Sequence, residues 1–184
     1  SNRAVPVEVG SYHMRAAGGT GSAGTRNFWV DEANEILYAA YYNGGVVALD
    51  ISGTLPADLS SRELARIQPG GAGNTFVWGV MQYQWGDLFA SDMLSGFWRL
   101  RYTGGAFSVV GGGNNVPERF TSDLWVQNGY GYTGGWGNRG TQPGNAVKVW
   151  QLGAGTPTLV DSVVTSGITT VSDVQVSADG KLLV

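Results

Sequence analysis

Leu37-Tyr38-Ala39-Ala40, followed by Gly45-Val46-Val47-Ala48-Leu49, returns 51 residues later as Leu88-Phe89-Ala90-Ser91 and Gly96-Phe97-Trp98-Arg99-Leu100, with no gap in between. Each copy is a short apolar run, a glycine-bearing turn and a second apolar run, the pattern of two antiparallel strands joined by a tight turn. A fixed period of this length decides the fold before any single residue does.

Working outward, a third copy reads Asp123-Leu124-Trp125-Val126, Tyr130-Gly131-Tyr132-Thr133-Gly134 and Ala146-Val147-Lys148-Val149-Trp150, with an insertion around Gly137 to Gln142. A fourth opens as Ser172-Asp173-Val174-Gln175-Val176, matching Ser122-Asp123-Leu124-Trp125-Val126. Val30, Val80, Val126 and Val176 close the first strand of each unit in this alignment. The first unit is expected to place strands at residues 27–30, 36–42 and 46–51, with Asn43-Gly44-Gly45 as a positive-φ turn. Gln127-Asn128-Gly129 and Ser177-Ala178-Asp179-Gly180 do the same in later units. Outer strands follow at 64–68, 107–110 and 159–164, and residues 55–67 hold an ornamented loop with room for one helical turn. Four antiparallel strands per unit at a period near fifty predict an all-β fold of β-propeller-type blades, about four in this chain.

The expected units are residues 26–70, 75–113, 119–165 and an incomplete 170–184, with 1–14 an outer strand of a shared blade. Pro6-Val7-Glu8-Val9-Gly10-Ser11 resembles the outer strand Pro157-Thr158-Leu159-Val160-Asp161-Ser162. Pairing of this N-terminal strand with the last blade would join the ring and cover bare edges. Under four blades is at the low end for a ring. The expectation is therefore of one part of a larger ring, completed by a second copy or a further chain.

Composition agrees. The 184 residues carry 30 Gly and 21 aromatics (7 Trp, 8 Tyr, 6 Phe), with only 14% charged residues. Glycine at this density favours turns over helices, and aromatic and β-branched residues favour strands. A net charge of −3 with no basic cluster argues against a nucleic-acid partner. No apolar run approaches the roughly 20 residues of a membrane helix. No signal peptide is visible, which reads as a mature or trimmed chain. With no Cys and one His, the usual zinc sets are ruled out, and neither a phosphate-binding loop nor a dinucleotide fingerprint appears, so no metal or cofactor is expected.

The stretches Asn27-Phe28-Trp29-Val30-Asp31-Glu32, Leu37 to Val46, Ala90-Ser91-Asp92-Met93-Leu94-Ser95-Gly96-Phe97-Trp98 and Phe120-Thr121-Ser122-Asp123-Leu124-Trp125-Val126 resemble bacterial LVIVD-repeat β-propellers over nearly the whole chain. The resemblance implies a propeller and an extracytoplasmic setting; it implies little about activity. Two departures stand out: the order of the units is rotated, and Arg26 occupies a position often held by His, which puts any polar or metal role of that residue in doubt.

His13, in the N-terminal strand or the loop after it, reads as a surface or packing residue. The candidates for catalysis are Asp123 and Asp173, at equal phase where inner strands start and hence facing one channel mouth, and Asp92, at a position that varies between units. Against this, Asp at a strand start commonly bonds neighbouring backbone N–H groups, and that plainer reading is favoured. Five tryptophans, Trp29, Trp78, Trp98, Trp125 and Trp150, fall on strands as packing units between blades. Trp85 and Trp136 fall near turns and are the better candidates for exposed contacts, and Arg26, Arg119 and Arg139 could hold an acidic ligand. The favoured function is a non-enzymatic extracytoplasmic scaffold or binding protein with a protein or glycan ligand, and the expected partner in assembly is a second copy, as a homo-oligomer, or a ring-completing chain. The alternatives are a hydrolase or lyase using carboxylates at the channel mouth, and an engineered or fragmentary propeller that oligomerises.

Overall fold

A computed structural model describes residues 5–14, 24–113 and 117–184. Three four-stranded antiparallel sheets follow one another along the chain. The first holds β1 (Phe28–Asp31), β2 (Ile36–Ala40), β3 (Val46–Asp50) and β4 (Glu63–Ile67) in that order. The second holds β5 (Val77–Gln82), β6 (Asp87–Asp92), β7 (Gly96–Thr103) and β8 (Ala106–Gly113). The third runs β9 (Thr121–Gln127), β10 (Tyr130–Gly135), β13 (Ala146–Gln151), β14 (Thr158–Val164), and the expected insertion is a small hairpin of β11 (Asn138–Arg139) and β12 (Gln142–Pro143). One 3-10 turn, Leu59–Arg62, stands in the ornamented loop ahead of β4, capped by the Asp58 carboxylate on Ser60 N–H.

The fourth unit is a hairpin in which Gln175 and Val184 exchange backbone hydrogen bonds of 2.8 and 2.9 Å and Ser177 N–H donates to Leu182 C=O at 2.8 Å. Turn chemistry follows the sequence: Asn128 (φ 52°) and Gly129 (φ 79°) both lie in the left-handed region between β9 and β10, as a two-residue hairpin turn requires. A side chain at Gly45 would meet Ile67 C=O at 1.9 Å, so the turn before β3 admits no Cβ.

The sheets stack face to face, and the core lies between them. Tyr38, Ala40, Val46 and Ala48 of the first blade pack on Val77, Val80, Leu88, Ala90 and Leu100 of the second. Phe89 and Phe97, on the other face of the second blade, pack on Leu124, Val126 and Trp150 of the third. Both faces of the second blade are therefore covered, and every residue of β6 is buried. That is why β6 lacks the polar alternation of a half-exposed strand.

Two expectations need correction. First, the inner strands are not aligned by their valines. Val30 pairs with Leu37, whereas Val80 pairs with Ala90, and the residue opposite Leu88 is Gln82. A bulge between Val77 and Gly79 adds one residue to β5, and the valine spacing concealed it. Second, the described residues of the N-terminal segment do not pair with the last hairpin. Ser11 N–H donates to Ala57 C=O at 3.0 Å and Ser11 C=O accepts from Leu59 N–H at 2.9 Å, so the segment runs beside the first blade. Tyr12 and Met14 then cover the apolar face made by Leu37, Tyr41, Val47 and Leu49, and Tyr12 O–H donates to Glu63 at 2.5 Å. The apolar face of the first blade offers a packing partner, and the segment takes it. No helix of the described chain is long and apolar enough to cross a membrane.

Candidate functional site at the mouth of the inner strands

The inner strands β1, β5 and β9 and the last hairpin come together around a cavity of about 540 Å³ whose lining includes Arg26, Asn27, Trp29, Asp123, Trp125 and Asp173. Asp123 and Asp173 thus share one concave space with an arginine, as their equal phase predicts. Asp123 is nearly buried and accepts from Asn27 Nδ2 and, at 3.5 Å, from Val174 N–H. Gly79 makes room for it: a Cβ there would lie 3.0 Å from Asp123 Oδ1. Burial pushes the Asp123 carboxyl up to about 6, the charge of Asp173 adds to this, and the hydrogen bonds only partly offset it. Asp173 is exposed and accepts from Ser172 Oγ at 2.9 Å. The carboxylates therefore differ. Asp123 is tied to backbone and to Asn27, which links three blades, while Asp173 is open to solvent.

Asp123 carries a pH prediction. Its folded-state pKa lies above the ordinary 3.8, so the fold favours the protonated form. That contribution is complete below about pH 4 and is lost as pH rises through 6, a difference of up to about 3 kcal/mol. Asp123→Asn keeps one acceptor oxygen but cannot titrate. Urea unfolding between pH 4.5 and 7.5 should show wild type losing stability relative to the variant as pH rises; parallel curves would refute the shift.

Asp92 lies elsewhere, outside the lining of this cavity. Fully buried, it accepts from Phe76 N–H at 2.9 Å, Leu94 N–H at 2.9 Å and Ser95 N–H at 3.0 Å, which closes the β6–β7 turn and ties it to the entry of β5. Burial raises its carboxyl above the ordinary range despite these bonds.

Beside the cavity, four residues singled out by sequence are linked through aromatic rings and main-chain hydrogen bonds. The Arg26 guanidinium lies 4.1 Å from the centre of the Trp78 ring. Trp136, 38% exposed, packs on the same Trp78 at 4.7 Å between ring centres. Trp136 N–H donates to Phe120 C=O at 3.0 Å, and the Arg139 guanidinium lies 5.2 Å from the Phe120 ring. Arg139 reaches Arg119 C=O at 3.5 Å and Leu94 C=O at 3.4 Å, while Arg119 Nε donates to Pro143 C=O at 2.8 Å. The fifth, Trp85, falls in the Gln84–Gly86 turn with a side chain outside the described part of the structure.

Sequence reasoning missed three members of this rim. Trp78, read as a packing unit, is its hub, and its buried Nε1–H has no partner among the described residues. Lys148, 6% exposed at the side chain, pairs with Glu118 at 2.8 Å, and Arg119 reaches the same Glu118 oxygen at 3.4 Å. Burial lowers the Lys148 ammonium; Glu118 opposes this, and the charges of Arg119 and Arg139 add to it. Burial acts to raise Glu118, but Lys148 and then Arg119 bring its carboxyl below the ordinary range. The signal for Lys148 was present: it shares strand phase with buried Ala146 and Trp150, and a lysine on a buried phase needs partners.

No protein-family model and no curated protein matches the chain. Solved structures do. A putative 6-phosphogluconolactonase from Bacteroides uniformis matches with a TM-score of 0.69 at 15% identity, over 95% of this chain and 50% of that one. The computationally designed Ika4 protein matches at 0.59 and 13% identity, over 98% of this chain and 97% of its own. The WD40 repeats of RRP9 match at 0.59 and 11% identity, over 85% and 43%. This chain therefore spans half the length of the lactonase-like structure. Together with the stacked four-stranded sheets, these likenesses define the chain as a β-propeller-type scaffold. At such identities they speak for the fold alone.

Proposed function

We propose that this chain is a non-enzymatic binding propeller that takes its ligand on the rim where the inner strands begin. The observation that carries the reading is the convergence of Arg26, entering the first blade, with Trp136, Arg139 and Arg119 of the third, through Trp78 of the second blade and Phe120. An exposed tryptophan flanked by guanidinium groups suits a glycan, since one ring face offers apolar contact while the arginines offer directed N–H donors. An extracytoplasmic site of action, as the resemblance to LVIVD-repeat propellers implies, belongs to the same proposal. Screening the purified chain against an immobilised glycan panel should yield saccharide binding that Trp136→Ala weakens about tenfold or more. A panel with no binder would remove the reading.

The hydrolase alternative keeps one specific support. Asp123, lifted to about 6, shares a cavity with Asp173 and Arg26, and one fold neighbour is described as a putative lactonase. A raised carboxyl beside a second one suits acid–base work. Against it, Asp123 is held by Asn27 and by the Val174 backbone. Turnover of lactone, ester or glycoside substrates that is abolished by Asp173→Asn would favour the enzyme.

A further inference from the structure

We infer that the ligand carries an acid group: one anionic sugar residue, as a carboxylate or a phosphate ester, held at Arg139 and Arg119 with its ring over Trp136. This rests on the binding reading above and narrows it to a chemical class. Around Glu118 the rim gathers Arg119, Arg139 and Lys148, three positive charges to one negative, on a chain whose net charge is −3. The excess therefore runs against the sign of the whole molecule and is local.

Glu118 does not use up the donors. It takes Lys148 and one Arg119 nitrogen on the same oxygen, and Arg119 Nε goes to Pro143 C=O. Among the described residues, the hydrogen bonds of Arg139 are two long ones, 3.4 and 3.5 Å, to main-chain carbonyls. A guanidinium has five N–H donors in a planar fork, so each arginine keeps donors for a carboxylate or phosphate edge. Stacking on Phe120 holds the Arg139 fork in place without consuming any of them. Trp136 is bound through its backbone to the carbonyl of that same Phe120, so the exposed indole and the Arg139 fork are positioned by one residue.

The overall negative charge also sets the ligand's size. A long polyanion would meet repulsion from the rest of the surface, whereas a single acidic sugar would sample only the local excess. On this rim, among the described residues, the exposed indole of Trp136 likewise offers a platform for one ring. Both observations favour an acidic saccharide unit over single-stranded nucleic acid, which needs successive stacking platforms.

The test is titration calorimetry on the full chain with galacturonate, its methyl ester, glucose 6-phosphate, glucose and inorganic phosphate. The acidic sugars should bind at least about tenfold more tightly than their neutral counterparts, and Arg139→Gln should erase that preference. The hydrogen bonds of Arg139 are long and its contact with Phe120 is weak, so the variant should melt within a few degrees of wild type; Arg119→Lys, which keeps the charge but loses the fork, serves as second probe and should reduce the preference. Trp136→Ala should weaken acidic and neutral sugars alike. Methyl-ester binding equal to that of the acid overturns the anionic class and leaves saccharide binding standing. Inorganic phosphate matching glucose 6-phosphate, with Trp136→Ala silent, overturns the sugar. An oligonucleotide that binds while every sugar fails overturns both readings.

Discussion

Asp87→Asn should destabilise the fold by about 3–5 kcal/mol, with a melting temperature lower by roughly 10 °C. Asp87 is 1% exposed and receives two arginines. Arg99 Nε donates to its Oδ2 at 2.9 Å, and Arg101 donates to its Oδ1 at 3.0 and 2.8 Å. Arg99 is itself buried and also donates to Gly153 C=O, so the pair ties the second blade to the loop that leaves β13. Asparagine preserves shape and leaves no hole; what it removes is the charge that compensates a buried guanidinium. Arg101→Ala is the contrast, because its side chain is 49% exposed and its share of the pair should be within about 1 kcal/mol. Replacing the buried pair together, Asp87→Leu with Arg99→Met, should recover much of the loss, since an apolar pair leaves no uncompensated charge. Urea unfolding of the four proteins measures this, and an Asp87→Asn variant within about 1 kcal/mol of wild type would refute the account.

The ion triad was invisible to repeat analysis for a reason that applies more widely. Arg99 sits at the phase of Ala48 and Val149 in the sister blades, so the alignment shows two apolar residues at the position where the second blade buries a cation. The strands β2, β3, β6 and β7 were legible because each pair is joined without insertion and both ladders share one register. The inner strands were not. A single extra residue at Trp78 moves the register of β5 by one without changing its apolar character. The fate of the N-terminal segment was likewise hidden, because local likeness to an outer strand says nothing about which of two apolar faces lies within reach. Packing on Tyr41, Val47 and Leu49 decided it.

Of the site, sequence supplied residue types and the structure supplied neighbours. Arg26, Trp136, Arg139 and Arg119 were each chosen for lying near turns or for charge, and nothing in their spacing shows that Trp78 and Phe120 connect them. Asp123 and Asp173 were legible as a pair because equal phase on inner strands places side chains around one axis. That one of them would be held by Asn27 was not, since the bond crosses from the first blade to the third. Asp92 illustrates the plainer reading of such residues: an aspartate ahead of a tight turn has backbone N–H groups within reach, and three of them donate to it.

Contact between the second and third blades leads to the other large expected effect. Phe97→Ala should cost about 3–5 kcal/mol, the range for emptying a phenylalanine site in a core. The ring is fully buried, stacked on Phe89 at 5.5 Å and tilted against Trp150 at 5.5 Å. It lies in a notch that Gly131 leaves open, where a Cβ would come within 2.8 Å of the ring edge. The hole left by alanine cannot collapse easily, because β7 and β10 are each held by ladders on both sides. Gly131→Ala should also destabilise, by crowding the ring. In the Phe97→Ala background, however, that added methyl meets empty space, so its cost should shrink or change sign. The two changes should therefore couple by at least about 0.5 kcal/mol in a urea double-mutant cycle. Additive costs would mean that glycine at 131 serves only its own backbone. Coupling would locate the bond between these blades in one ring fitted to one missing side chain, which repeat consensus cannot encode because the ring and the notch sit in different repeats.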